Sequence, residues 1–376
     1  MSMDSGNGDF TRRGFLFAMG GGVTLAATGS ASPPPQYPLV RAAGSHRELG
    51  RQHGEQAADK IKSHLELIAA EGHVSRDEVR HRALAFQPLF EKYCPHLLEE
   101  MHGLAEGARI LLAEALAVNI RGELSHAAKE GCTTYAIGRA GTSNRQILAG
   151  QNSDMSPHIP SLGYVLHLKP INKPEVLMWT FGGMIGYHGM NSVGVAHFAN
   201  SLFGDGPSGQ WGMPHYPLKR LMLECDHVDQ IVRLFKTIPI ASNGNYMICD
   251  GHGNLLDMEA TTAGPEILRD NHTGFLAHSN HFVCARYAQK TNFPQNWKDS
   301  FARLDRMNSL IRTQYGSLAV DDIKKFLSDH SGYPTSICRH EEVSATVASL
   351  IAEPAERRML VAFGNPCEHR YATYSM

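Results

Sequence analysis

The sequence predicts an α+β protein, with a helical front segment followed by a layered, strand-rich sandwich. Three observations carry this expectation. Between Gly54 and Glu123 apolar residues recur at helical spacing. At Cys132 the texture changes to short apolar or β-branched runs broken by Gly, Asn and Pro. Two sets of helical runs then interrupt those strands, which is the order expected of helices layered on sheets.

Taken in chain order, Thr11-Arg12-Arg13-Gly14-Phe15-Leu16 precedes an apolar Gly/Ala-rich run to Ala27, and Gly29, Ser30 and Ala31 follow. A basic start, a weakly hydrophobic stretch and a small-residue exit describe an export signal, and the adjacent arginines make it a twin-arginine one. Residues 1–31 are therefore expected to be a signal cleaved after Ala31, read by the twin-arginine translocon and delivering the chain to the periplasm or the extracellular space. Ser32-Pro33-Pro34-Pro35 is a stiff leader. No later apolar run is long enough to span a bilayer, so no stable membrane span is expected.

Residues 36–131 form the helical segment. Ala57, Ile61, Leu65 and Ile68 recur on one face, as do Leu97, Met101, Leu104 and Ala108, and Pro95 sits where it can open a helix. Strand candidates then run over Thr133–Ile137, Gln146–Ala149, Tyr164–Leu168, Val176–Phe181, Val193–Phe198, Tyr246–Cys249, Leu255–Glu259, Ala345–Ile351 and Met359–Phe363. Helices are expected at Leu218–Glu224, Val228–Lys236, Ser300–Arg312 and Val320–Ser328. Asp250-Gly251-His252-Gly253-Asn254 reads as a hairpin loop. The Gly/Pro-rich stretch from Gly204 to Pro217, with Trp211 and Tyr216, is either a surface loop or a lid over a pocket.

Composition narrows the function classes. Lys+Arg number 35 against 37 Asp+Glu, and no block of like charge suggests a nucleic-acid footprint. Seven cysteines (Cys94, Cys132, Cys225, Cys249, Cys284, Cys338 and Cys367) leave at least one thiol unpaired within the chain. No Cys-x-x-Cys pair exists, which argues against a zinc ribbon or a dithiol redox motif.

Cys132 lies where the helical texture ends, in Glu130-Gly131-Cys132-Thr133-Thr134-Tyr135. A buried structural cysteine is the bland reading of such a residue. The chemical reading begins with Gly131, which removes side-chain bulk from a carbonyl that the cysteine sulfur can attack. Hydrolysis of the resulting thioester makes Cys132 an N-terminus, and an α-amino group with a reference pKa of about 7.7–8.0 can take the thiol proton. Gly150-Gln151-Asn152-Ser153-Asp154 follows a strand candidate, and an antiparallel return would bring Asp154 beside the cysteine to position the amine. Ala277-His278-Ser279-Asn280-His281-Phe282 supplies Asn280, whose side-chain amide suits an oxyanion donor.

Together these segments resemble the acyl-coenzyme A:6-aminopenicillanic acid acyltransferase family, autoproteolytic cysteine members of the N-terminal-nucleophile hydrolases. The resemblance runs from Gly44-Ser45-His46-Arg47-Glu48-Leu49-Gly50-Arg51-Gln52-His53-Gly54 through Asn119-Ile120-Arg121-Gly122-Glu123-Leu124 to the Gly131-Cys132-Thr133-Thr134 cleavage site. It continues through Gly150–Asp154, Gly182–Gly186, Gly189–Val195, Asn200-Ser201-Leu202 and His278–Phe282. Ser336-Ile337-Cys338-Arg339-His340, Thr346–Ser349 and Gly364-Asn365-Pro366-Cys367 close it. It implies an αββα sandwich, with the front segment becoming a small subunit that stays bound to a catalytic subunit of residues 132–376. It also implies acyl transfer from a small amide to Cys132, with no cofactor.

Asn200 is a further candidate for a polar contact to oxyanion or substrate. Tyr135 and Trp211 are candidates for an acyl pocket, with core packing the stronger expectation for Tyr135. In Asp299-Ser300-Phe301-Ala302-Arg303 the resemblance departs, because Phe301 stands where many relatives carry an arginine. Either Arg303 substitutes for it or the pocket is less polar; Ser300 and Arg303 are candidate substrate contacts.

Export favours hydrolysis of an N-acyl substrate over acyl-coenzyme A-dependent transfer, since coenzyme A thioesters are expected to be scarce outside the cytoplasm. Two other classes compete. The 21 histidines, among them His278, His281, His188, His197 and His215, prompt a metal-dependent hydrolase. No His-Glu-x-x-His or His-x-His pair supports it, so no metal site is expected. An exported binding protein with a structural Cys132 is the third reading.

Overall fold

The structure is a computed structural model that describes residues 35–124, 131–204, 206–207, 209–269, 273–288 and 298–376. The export segment lies outside the described residues. The chain enters with strand β1 (Leu39–Gly44) and passes through α1 (His46–Gly72), α2 (Arg76–Leu84), α3 (Gln87–Tyr93), α4 (Pro95–Ala108), α5 (Leu112–Val118) and α6 (Arg121–Leu124). Then come β2 (Gly131–Ile137), β3 (Leu148–Met155), α7 (Ile159–Leu162), β4 (Gly163–Pro170), β5 (Val176–Phe181), β6 (His188–Asn191) and β7 (Ala196–Ser201). Helices α8 (His215–Met222) and α9 (Val228–Thr237) lead to β8 (Gly244–Cys249), β9 (Leu255–Thr261), β10 (Gly264–Arg269) and β11 (Phe275–His278). Helices α10 (Asp299–Thr313) and α11 (Val320–Leu327) precede β12 (Ala345–Glu353), β13 (Arg358–Phe363) and β14 (Tyr371–Ser375).

Two sheets result, one of eight strands in the order β1-β4-β5-β6-β7-β8-β9-β10 and one of six in the order β11-β2-β3-β12-β13-β14. Three apolar layers stack them. Ile61, Leu65, Leu97, Met101, Leu218 and Ile231 of the helices pack on Leu166, Met178 and Ile248 of the large sheet. Trp179, Phe181, Phe198 and Met247 face Val347, Leu350 and Val361 between the sheets. Met307, Ile311, Ile323 and Phe326 cover the outer face of the small sheet against Tyr135, Leu148 and Ile351. The fold is therefore α+β, with the helix–sheet–sheet–helix order of an αββα sandwich. Each fully buried large side chain in these layers contributes roughly 1.5–3 kcal/mol of transfer free energy.

Local chemistry explains the helical front. Ser45 caps α1 and forms a capping box with Glu48. α1 and α4 then approach until their backbones touch, which only glycine permits. A methyl group added at Gly50 would stand 1.8 Å from the Glu100 carbonyl oxygen, and one at Gly103 would stand 2.0 Å from that of Arg47.

The front segment, residues 36–131, is not purely helical, because it opens with a strand. β1 pairs in parallel with β4, Leu39 opposite Val165, and the Tyr37 hydroxyl donates to the Val347 carbonyl across the sandwich at 2.5 Å. β1 escaped the pattern because it is an edge strand whose alternation buries only two residues, Val40 and Ala42. β10, β11 and β14 escaped it as well, all at sheet edges, where polar residues break the apolar pattern. Of the run expected at Val193–Phe198, Val193–Val195 belong to the turn between β6 and β7, and the strand begins only at Ala196. The Asn191 side-chain oxygen accepts from the Val193 and Val195 amides and so builds that turn. Among the described residues no helix is long and apolar enough to cross a membrane.

Candidate active site at the cysteine strand

Cys132 is the second residue of β2, and the antiparallel register sets Gly131 opposite Asp154 and Cys132 opposite Ser153. Alternation along the strands then sorts the side chains into two environments. Cys132, Thr134, Gln151 and Ser153 face the large sheet. Thr133, Tyr135, Asn152 and Asp154 face α10 and α11.

On the inner face, the Gln151 amide nitrogen lies 3.9 Å from the Cys132 sulfur, and its oxygen accepts from the Ala199 amide at 3.0 Å. Thr134 donates to the Asn200 side-chain oxygen at 2.7 Å, and Asn245 donates to the same atom at 3.2 Å. The Asn200 Nδ2 group is left buried without an acceptor. Asn200 borders a cavity that is also lined by Cys132, Glu123, Tyr187, Tyr216 and Lys219. The Lys219 ammonium stands 4.4 Å from the centre of the Tyr187 ring. Burial, helped by the Lys219 charge, pushes His188 well below its usual range and His197 and His215 down to about 3, so these imidazoles are neutral at pH 7. Burial pushes Glu123 the other way, up to about 7.

On the outer face Arg303 gathers the site. Its Nη1 donates to the Cys132 carbonyl at 2.6 Å and to the Thr133 hydroxyl at 2.9 Å. Its Nη2 donates to the Asn280 side-chain oxygen at 2.8 Å, and its Nε to Asp299 at 2.7 Å. That same Asn280 oxygen accepts from the Cys132 backbone nitrogen at 3.1 Å. Both main-chain polar groups of the cysteine are thus held. Asp154 is fully buried. Thr346 donates to its Oδ1 at 2.7 Å, and Oδ2 has no hydrogen-bond partner. Burial raises its pKa, against the opposing pull of Arg303 and Arg339.

His278 is buried against Glu259 at 2.9 Å. Burial opposes its charge, yet Asp257 and Glu259 prevail and hold it up at about 9. That imidazole belongs to an ion pair and offers no metal-ligand lone pair.

The structure brings Gly131, Cys132, Asp154, Asn200 and Asn280 together but redistributes their contacts. Asn280 faces the cysteine with its oxygen, and its Nδ2 donates to the Ser201 carbonyl at 3.0 Å. Two donors converge on that oxygen, and only an acceptor satisfies both. Asn200, ranked lower from sequence, lines the cavity and carries a buried Nδ2 with no acceptor.

The four candidate substrate contacts need correction, since none borders the cavity that holds Cys132. Tyr135 points outward by strand alternation and packs with Ile137, Met307 and Ile311. Trp211 is 56% exposed and stacks on Phe86. At the end of the same stretch Tyr216 borders the cavity, and residues 205 and 208 lie outside the described residues. Ser300 accepts from the Asn280 amide at 2.8 Å and so braces a loop. Arg303 grips main chain and Asn280. Phe301 is exposed and stacks on His281, while Arg303, further along α10, points inward to the cysteine main chain.

Sequence reasoning missed Gln151, Glu123 and Lys219. Period-two alternation within Gly150–Asp154 contains the signal for Gln151. Lys219 is buried in α8 beside a second buried charge, Arg220, and no local sequence signal sets it apart. All seven cysteines are free thiols.

A family model described as acyl-coenzyme A:6-aminopenicillanic acid acyl-transferase matches residues 138–368. The match begins after Cys132 but includes Asp154, Asn200, Asn280 and Arg303. The acyl-coenzyme A:6-aminopenicillanic-acid-acyltransferase 40 kDa form of Emericella nidulans is 26% identical over 345 residues, covering 87% of this chain and 92% of its own. Among solved structures, a single-residue variant of conjugated bile acid hydrolase from Clostridium perfringens aligns at a TM-score of 0.45 with 13% identity, over 65% of this chain and 97% of that one. Penicillin V acylase from Agrobacterium tumefaciens aligns at 0.40 with 12% identity, over 62% and 82%. At such levels of likeness the sandwich rests on this chain's own sheets and layers. With more than half of its length matched by the family model, the chain belongs to the acyl-coenzyme A:6-aminopenicillanic acid acyltransferase family.

Proposed function

We propose that the chain cuts itself between Gly131 and Cys132 and then acts as a cysteine amidohydrolase on a small N-acyl substrate. One observation carries the reading: a cysteine on a cavity wall has its nitrogen held by Asn280 and its carbonyl held by Arg303. In the maturation step the Cys132 sulfur bonds to the Gly131 carbonyl carbon, the peptide C–N bond breaks and the thiol proton passes to the nitrogen. Water then cleaves the thioester and leaves a Gly131 carboxylate. The front segment remains attached, as a heterodimer, through the pairing of β1 with β4 and the packing of its helices on the large sheet.

In turnover the freed amine takes the thiol proton and the sulfur attacks the substrate carbonyl. The nearby Arg303 guanidinium disfavours a charged ammonium, so the amine is available as a base. Asn200 Nδ2 donates to the oxyanion, Asn280 orients the amine, and Asp154, opposite Gly131, braces the cut end. The departing amine takes the proton back, and water releases the acyl group. Asn200→Ala is expected to lower kcat by roughly 10²–10³-fold with little change in KM. Steady-state kinetics showing an unchanged kcat would remove Asn200 from this role.

Lys219 points to a substrate that carries a carboxylate, such as a penicillin or an N-acyl amino acid. Lys219→Met should raise KM about tenfold for an anionic amide, the worth of one charge contact of about 1.4 kcal/mol. It should leave KM for the matching methyl ester unchanged; equal effects on both would refute the assignment. Export by the twin-arginine pathway to the periplasm or beyond, which we also propose, favours water as the acceptor. The name of the Emericella relative favours a second reading, acyl-coenzyme A-dependent transfer to an amine. Incubation with penicillins or N-acyl amino acids, and separately with acyl-coenzyme A plus an amine, separates them.

A further inference from the structure

Four side chains that the active site does not use converge beside the start of β12 and the β13–β14 loop of the small sheet. They are His330, Cys338, His340 and Cys367, and their ligand-type atoms all lie within 4.8 Å of one another. We propose that they form a structural site for one divalent zinc-class metal ion, which pins the segment carrying Arg339 against the active-site carboxylates.

The separations fit a shared tetrahedral centre. Metal–sulfur and metal–nitrogen bonds of about 2.3 and 2.05 Å place tetrahedral ligands about 3.8 Å apart for two sulfurs, about 3.5 Å for sulfur and nitrogen, and about 3.3 Å for two nitrogens. The two cysteine sulfurs are 3.6 Å apart. His340 Nε2 is 3.4 Å from each sulfur, and 3.2 Å from His330 Nε2. Two imidazole nitrogens and two thiol sulfurs gathered at such separations make a good set of metal ligands. A Cys₂His₂ donor set is that of closed structural zinc sites. Surrounding groups complete it. The other His340 nitrogen faces Glu368 at 3.8 Å, the side on which a ligating imidazole meets a carboxylate. The Asn365 amide lies 3.5 Å from the Cys338 sulfur and donates to the Arg339 carbonyl at 2.7 Å. Binding releases the two thiol protons to solvent.

The site's place in the chain gives it a purpose. Cys338 and His340 flank Arg339, whose side chain leaves in another direction to meet Asp299 at 2.7 Å. The Arg339 main chain is joined to Thr346 by two hydrogen bonds, and Thr346 holds Asp154. A metal fixing both neighbours of Arg339 would therefore stiffen the support of Asp154 and Asp299. The sequence pointed away from any metal because the spacing, His-x7-Cys-x-His with the last cysteine on the β13–β14 loop, matches no contiguous ligand motif. The ligands meet only when β12 and β13 fold back.

The test reads metal rather than cleavage, so it stands apart from the proposed function. Full-length protein purified from zinc-supplemented cells and freed of loose metal should hold about one zinc per chain. After exchange with Co²⁺ the wild type should show thiolate-to-cobalt charge transfer and intense tetrahedral visible bands. The double change Cys338→Ser with Cys367→Ser should cut bound zinc more than about tenfold, whereas Cys225→Ser should not. The wild-type cobalt spectrum decides the matter even if the double variant does not fold. A wild-type protein that takes up neither Zn²⁺ nor Co²⁺ when reduced overturns the proposal. So does a metal-free purified protein whose intact mass shows Cys338 joined to Cys367.

Discussion

Cys132→Ala is expected to yield one uncut chain with no turnover. The methyl side chain cannot form the thioester, so the Gly131–Cys132 bond persists, and with it the absence of a free amine. Nucleophile and base are therefore lost together, which distinguishes this change from an ordinary active-site substitution. The drop in kcat should reach at least about 10⁴-fold, because only binding and oxyanion contacts survive. Fold stability should change little, since the side chain is small and its main-chain contacts to Asn280 and Arg303 remain. Intact mass read beside activity checks this directly. Two wild-type fragments split before Cys132, and a single chain for the variant, support self-processing. An uncut wild-type chain with full activity would refute it.

Arg303→Met carries the next largest effect. The guanidinium is 1% exposed and satisfies four acceptors: the Cys132 carbonyl, the Thr133 hydroxyl, the Asn280 oxygen and Asp299. Methionine fills similar volume but donates to none of them. Asp299 keeps Arg339 at 2.7 Å, so its loss is cushioned. The other three acceptors are left buried with fewer donors, and the expected destabilisation is about 3–5 kcal/mol. Urea unfolding should show the lower midpoint, and the Gly131–Cys132 cut should slow as the cysteine main chain loosens. Arg303→Lys should recover only part of either effect, since an ammonium cannot span acceptors arrayed around a planar fork. Wild-type stability together with wild-type cutting would show that Arg303 does not organise the site.

Legibility differed from place to place for physical reasons. The helices were plain because α1 and α4 each bury one stripe, and a stripe repeats in the sequence. Interior strands such as β4, β5 and β12, buried on both faces, read as continuous apolar runs. Edge strands β1, β10, β11 and β14 lacked that signature. At the site, chemistry-bearing residue types were legible one at a time, as with Cys132 after a glycine, Asp154 on a returning strand and Asn280 in a loop. Their contacts were not. Strand alternation turned Tyr135 and Thr133 away from the cavity, and a helical turn of α10 brought Arg303 rather than Phe301 inward.

The sequence by itself determined the α+β class, the break at Cys132, the family resemblance and the cysteine to test. Tertiary structure decided that the Asn280 amide donates to Ser201 while that of Asn200 is buried without an acceptor, that Lys219 lines the cavity, and that His330, Cys338, His340 and Cys367 meet. The reason is range. Periodicity reports which face of a single element is buried, whereas these groupings join residues dozens to more than a hundred positions apart. Such distances close only when both sheets have formed and stacked.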